Sequence, residues 1–274
     1  DADDPFHRKM LRRETRKKRF KRALLAGVLL APIALVAWWW WTDSRATDQL
    51  EEFIAECRAA GQPIDPEDFD PPPVADEDNA ALLLQDAADA IVTLEAENLF
   101  RIYNYDHGDV KDHPEEARQI VESNAKALQL ARRARALTGC DWGWRMSDPI
   151  LYPGLGPQRQ LAKLLCFTAE YYHHVGDDRQ AIETLQDALA AAGRTREIPP
   201  LIAYFTAIGQ ESLVMSALEE MTPTLNVAAD AAGSRAATRE QIQELIAALL
   251  DEEHRQRDYK LMWYGERTHL LEIG

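Results

Sequence analysis

The chain has 274 residues, with 31 Lys and Arg against 46 Asp and Glu, a net charge of −15. The balance is uneven: residues 1–41 hold ten basic against four acidic residues, net +6, and residues 42–274 hold 21 against 42, net −21. The larger part therefore repels nucleic acid and anionic lipid, which excludes nucleic-acid binding there.

Residues 1–22 read as a basic cytoplasmic tail: Arg8, Lys9, Arg12, Arg13, Arg16, Lys17, Lys18, Arg19, Lys21 and Arg22. Ala23 to Trp41 is a run of 19 residues without a charge. At about 1.5 Å per residue it spans roughly 28 Å, the thickness of a bilayer's hydrocarbon core. Pro32 is tolerated inside such a helix. Trp38, Trp39, Trp40 and Trp41 close the run, where indole rings favour the headgroup boundary of a membrane interface. Basic residues before the run and none clustered after it set the N-terminus in the cytoplasm. The expected location is a bacterial inner membrane crossed once, with the C-terminal domain periplasmic or otherwise extracytoplasmic. A cleaved signal peptide ending at Ser44-Arg45-Ala46 is the rival, but its apolar region should be only about 7–15 residues long. The chain starts on Asp1 and runs to Gly274 within a helix-like stretch, so trimming at either end is left open.

Beyond the span, strand signals are scarce and the expected fold class is all-α. A short helix over about 47–60 stops at Gly61. Residues 61–78, with Pro71-Pro72-Pro73, read as an extended Pro/Asp-rich connector, so 42–78 separates the span from a helical ectodomain over 79–274. Asp78 is the expected cap of a helix over about 79–97. A polar loop over 98–112 follows, with Tyr103 and Tyr105. Pro114, beside Glu115 and Glu116, opens a helix to Leu137 whose inner face is Ile120, Ala127, Leu130, Ala131, Ala134 and Leu137. Gly139 stops it, and an irregular stretch runs through Cys140 to Pro157.

Next, Leu161, Leu164, Leu165, Thr168, Tyr172 and Val175 recur at helical spacing. Gly176-Asp177-Asp178 turns the chain, and Ala181, Ile182, Leu185, Ala188, Leu189 and Ala192 recur again up to Gly193. Two such helices with a short turn pack antiparallel. Pro199 and Pro200 open another helix to about Met221, and Thr238 with Gln241 forms a capping box for a last one.

The window from Ala162 resembles a tetratricopeptide repeat in Ala169, Tyr172, Gly176, Ala181, Leu185 and Ala188. The early Trp and terminal Pro of that pattern are replaced by Leu165 and Gly193. One repeat cannot bury its own face, so the likeness implies neighbouring hairpins in a solenoid-like domain with a protein-binding surface and no catalysis. More loosely, the order of signal anchor, short helix, Pro-rich connector, Asn-Ala-Ala and helical hairpins resembles bacterial membrane-anchored proteins.

Several groups of residues have chemical capacity. Glu170 and His174 share a helix face, with His173, Asp177 and Asp178 alongside; they could offer nitrogen and oxygen ligands to a metal, or form an ordinary polar helix end. They lack the H-E-x-x-H spacing of zinc hydrolases. Asp106, His107, Asp109, Asp112 and His113 make an oxygen-rich loop without EF-hand spacing. Trp142, Trp144, Met146 and Tyr152 concentrate aromatic and soft apolar surface, either as a partner-binding patch or as core plugs under a loop. Leu261, Met262, Trp263 and Tyr264 pose the same choice. Cys57, Cys140 and Cys166 form no C-x-x-C pair; Cys166 is expected as a buried thiol.

No catalytic, cofactor or metal residue is assigned. The expected function is a membrane-tethered interaction or scaffold protein, such as an accessory subunit of a larger membrane complex, touching the lipid bilayer and protein partners. Its oligomeric state is left open. A metal-dependent hydrolase or metal-binding domain is the alternative, and a ligand-sensing domain the third reading.

Overall fold

The computed structural model describes the backbone of residues 5–92, 109–146, 154–228 and 234–273, and the side chains of 30–92, 110–146, 154–228 and 234–271. It is predominantly helical and divides into two compact units, 1–62 and 63–274.

The first unit is one long helix, α1 (Pro5–Ala59), with Pro32 inside it. The expected break near 42–46 is absent. Neither Gly nor Pro occurs between Pro32 and Gly61, and Thr42 and Thr47 turn their hydroxyls back onto the carbonyls of Trp38, Trp39 and Asp43, so nothing interrupts the ladder. The helix closes at Gly61 with paired bonds, Gly61 N to Arg58 O and Gln62 N to Cys57 O, both 3.0 Å.

The second unit begins with the Pro-rich connector. A 3-10 turn (Pro66–Phe69) is fixed by the Asp68 carboxylate, which accepts from the amides of Ile64 and Asp65, and Phe69 is buried. Helix α2 (Ala80–Asp89) is capped by Asn79 rather than Asp78. The buried Asn79 amide accepts from Ala81 N at 3.1 Å and Asp141 N at 2.9 Å, and donates to Asp141 O at 2.8 Å.

The helix expected to reach 97 stops at Asp89, because Asn124 takes both backbone groups of Val92: N to Oδ1 at 2.8 Å and Nδ2 to O at 3.1 Å. The same fully buried Asn124 divides the helix expected over 114–137. After the single turn α3 (Asp109–Asp112), the segments are α4 (Pro114–Ser123) and α5 (Ala125–Arg135). An Asn inside a helical pattern competes for backbone bonds, and here a distant strand of chain decides the competition.

Helices α6 (Leu155–His174) and α7 (Asp178–Arg196) form the antiparallel hairpin read from the sequence, turning at Gly176 with φ +77°. Gly193 does not end α7, which runs on to Arg196 before Pro199 and Pro200. Helix α6 is central. Leu161, Leu165, Cys166 and Ala169 enter the main core with Leu84, Ile182, Leu185 and Val214. Leu164 and Phe167 enter a second core with Val110, Ile120 and Val121. No disulfide joins the cysteines, and burial pushes the Cys166 thiol well above its ordinary value and that of Cys140 up to about 12.

Helix α8 (Leu201–Met221) packs on α6 and α7. A two-residue parallel pair, β1 (Val227–Ala228) with β2 (Ala237–Thr238), leads to α9 (Arg239–Leu249), which starts with the expected Thr238–Gln241 capping box. The last helix, α10 (Glu252–Ile273), reaches back to α8: the Glu266 carboxylate accepts from Leu201 N at 2.8 Å at the positive end of α8. Gly265 makes this approach possible, since a Cβ there would sit 3.1 Å from Pro199 Cβ.

Between α5 and α7 lies an ion cluster. Asp187 is 1% exposed, with Arg132 Nε at 3.0 Å and Arg135 Nη1 at 3.2 Å. Burial outweighs these guanidiniums and pushes the Asp187 carboxyl from 3.8 up to about 6. The folded chain thus holds this proton more tightly than the unfolded chain. The group's contribution to stability is greatest below pH 4 and declines as pH rises through 6, by about 3 kcal/mol. Urea unfolding of the full chain in detergent is expected to show the Asp187→Asn variant gaining about 2 kcal/mol of that on wild type between pH 4 and pH 7. A relative loss over that interval would mean that the arginines win.

Candidate functional site

Glu170, His173 and His174, picked out by their spacing, do come together. They line a cavity of about 290 Å³ where the end of α6 meets α3, the end of α8 and the segment before β1, with Val110, Lys111, Glu220 and Asn226. Lys111 is ion-paired with Glu220, whose carboxylate raises the ammonium's pKa. His173 is committed to structure: Nδ1 meets the Asp178 carboxylate at 2.5 Å and Nε2 meets Thr224 Oγ1 at 2.9 Å. The 1% exposed Asp178 uses its other oxygen to accept from Asn226 N at 2.8 Å. His173 and Asp178 therefore clamp the turn of the hairpin to the chain leaving α8. Among the described residues no three His, Cys, Asp or Glu side chains are grouped to hold a metal ion.

Asp112 and His113 are exposed at the start of α4. Asp106, His107 and the Asp109 side chain lie outside the described residues, as do Tyr103, Tyr105 and Tyr152. Trp142, Trp144 and Met146 are buried in the main core, and Trp142 Nε1 donates to Arg194 O at 2.9 Å. Near the C-terminus Met262 is buried, Leu261 and Tyr264 pack against the core, and Trp263 is exposed edge-on to Tyr259.

On α1, the large apolar side chains of Leu30, Ile33, Leu35, Val36 and Trp38 to Trp41 are all exposed, and the Arg45 guanidinium sits 4.1 Å over the Trp41 ring. Four consecutive helical residues point about 100° apart, so the tryptophans ring the helix rather than forming one face.

The feature that periodicity did not reveal is the outer side of α8. Its inner face, Ala203, Thr206, Ala207, Gln210, Val214, Ala217 and Met221, is buried. Its opposite face carries Ile202, Phe205, Ile208 and Met215, all exposed. Being apolar on both sides, Leu201–Thr224 is long and apolar enough to cross a membrane by length and composition, the one such segment among the described residues, with 33% of the window buried. Its packing on α6 and α7 and its carboxylate cap make it a bundle helix. Between α8 and α9 the outer side opens into a groove of about 880 Å³, walled by Ile208, Met215, Leu218, Leu225, Ile242 and Ile246. Its charged lining is Glu211 and Glu219. A helix apolar all round expects cover on every side, which is the signal the sequence offered at 201–221.

No family model matches the chain, and no curated protein or solved structure matches it either.

Proposed function

We propose that this chain is a single-pass, membrane-tethered interaction protein whose helical domain binds a protein partner with the outer side of α8. The observation carrying this reading is the exposed row Ile202, Phe205, Ile208 and Met215 beside an apolar groove. Exposed apolar surface that is continuous and bordered by charge is the mark of an interface. In an array of helical hairpins of the tetratricopeptide kind each outer face is covered by the next unit, and a terminal unit carries a polar face; α8 carries an apolar one.

The tether is the uncharged run 23–41 of α1. Its described side chains are exposed around the whole helix, which suits lipid, and the tryptophan ring suits the headgroup boundary. The basic tail sets the N-terminus in the cytoplasm and the domain in the periplasm, at a bacterial inner membrane. Tethering raises the effective concentration of the domain beside membrane partners, as an accessory subunit or scaffold requires.

Two measurements on the full chain in membranes test this. External protease is expected to digest the acidic domain of spheroplasts and to spare the basic tail; the reverse pattern defeats the topology. A photo-crosslinking amino acid placed in turn at Lys111, Met215 and Trp263 is expected to give a discrete protein adduct at one or more positions. Absence of any protein adduct from all three defeats the interaction role.

A further inference from the structure

The α8–α9 groove has a shape and a charge that together specify an occupant. It is long, one-sided and apolar, with Ile208, Met215 and Leu218 on one wall and Ile242, Ile246 and Leu249 on the other. Such a trough accepts a helix that inserts apolar side chains at i, i+3/i+4 and i+7. Ser212 and Ser216 keep the α8 wall low.

Charge then discriminates among occupants. The charged residues lining the groove are Glu211 and Glu219, with no cation. Glu211 is held by Arg196 and, at 3.9 Å, by Arg255, which leaves Glu219 as the exposed carboxylate of the α8 wall. Past Leu249 and the exposed Leu250, Asp251, Glu252 and Glu253 are exposed just beyond the end of the α9 wall. A second copy of this domain would bring an equally acidic border, at a cost in like-charge repulsion. An anionic lipid surface is repelled for the same reason. A helix whose apolar stripe is edged by Lys and Arg meets both the trough and its border.

We propose that the α8–α9 groove binds an amphipathic helix of a partner protein, bordered by lysine or arginine, with Glu219 and the 251–253 carboxylates selecting the positive border. This rests on the interaction role proposed above and names the partner's chemistry.

The test uses two synthetic helical peptides with the same leucine stripe, one bordered by lysine and one by glutamate. Fluorescence anisotropy follows their binding to the full chain in neutral detergent. The lysine-bordered peptide is expected to bind at least tenfold more tightly at low salt, with the preference shrinking as salt is added. Met215→Asp, at a position 51% exposed and so harmless to folding, is expected to weaken it at least tenfold. Glu219→Lys is expected to narrow the preference between the two peptides. Equal binding of the two peptides, or binding indifferent to Met215→Asp, overturns the proposal. So does self-association in sedimentation equilibrium, or attachment to anionic vesicles, that Met215→Asp abolishes. If the groove fails while crosslinks form at Lys111 or Trp263, the interaction role stands and only this site falls.

Discussion

Arg196→Ala is expected to destabilise the helical domain by about 3 kcal/mol, the lower end of the cost of breaking a buried ion pair from one side. Arg196 sits at the end of α7, 8% exposed, with Nε 3.1 Å from Asp258 of α10 and Nη1 on Glu211 of α8. One guanidinium thus ties three helices together. Asp258 is only 1% exposed, so losing Arg196 strands its carboxylate, with the largely exposed Arg257 at 3.2 Å as its remaining cation. For a domain of this size the loss corresponds to a fall in Tm of roughly 6–12 °C. Thermal unfolding followed by circular dichroism measures it. The double replacement Arg196→Met with Asp258→Leu is expected to recover most of the loss, since it removes both charges rather than one. If the double variant were as unstable as the single one, packing rather than charge would be holding this junction.

Asn79→Ala is expected to cost about 3 kcal/mol, from an N-cap of about 1 kcal/mol and buried polar groups left unpaired at about 1–3 kcal/mol. The Asn79 amide serves Ala81 N and both backbone groups of Asp141, while Ala80 N bonds Gly139 O at 2.9 Å. The residue therefore starts α2 and pins the loop carrying Trp142 and Trp144 in one act. Asn79→Asp is expected to fall between alanine and wild type, because it keeps the acceptor but presents a carboxylate to Asp141 O where a donor stood. Urea unfolding of the three proteins gives the order. A loss of under 1 kcal/mol in the alanine variant would mean that water replaces the amide there.

The same residue shows where reading the sequence stops. Asp78 and Asn79 are both good caps, and local preference does not separate them; the bonds to Asp141, 62 residues away, do. Asn124 is the second case. In sequence it is one polar residue in a helical pattern, and only the arrival of Val92 turns it into a break between α4 and α5. Likewise Glu170, His173 and His174 were legible as neighbours on a helix, but Asp178 and Thr224 give His173 its structural task.

Determined by the sequence alone were the charge division, the uncharged run ending in tryptophans, the predominantly helical character, the hairpin at Gly176 and the Thr238 capping box. All of these follow from local periodicity, steric preference or the sum of charges, which need no partner from elsewhere in the chain. The tertiary structure alone decided where α2 and α4 end, which residues plug the core, and that α8 buries one apolar side while leaving the other open beside α9. Burial and hydrogen bonding between distant segments are properties of the packed chain, and a helix apolar on both sides carries no mark in its own residues of which side the fold will cover.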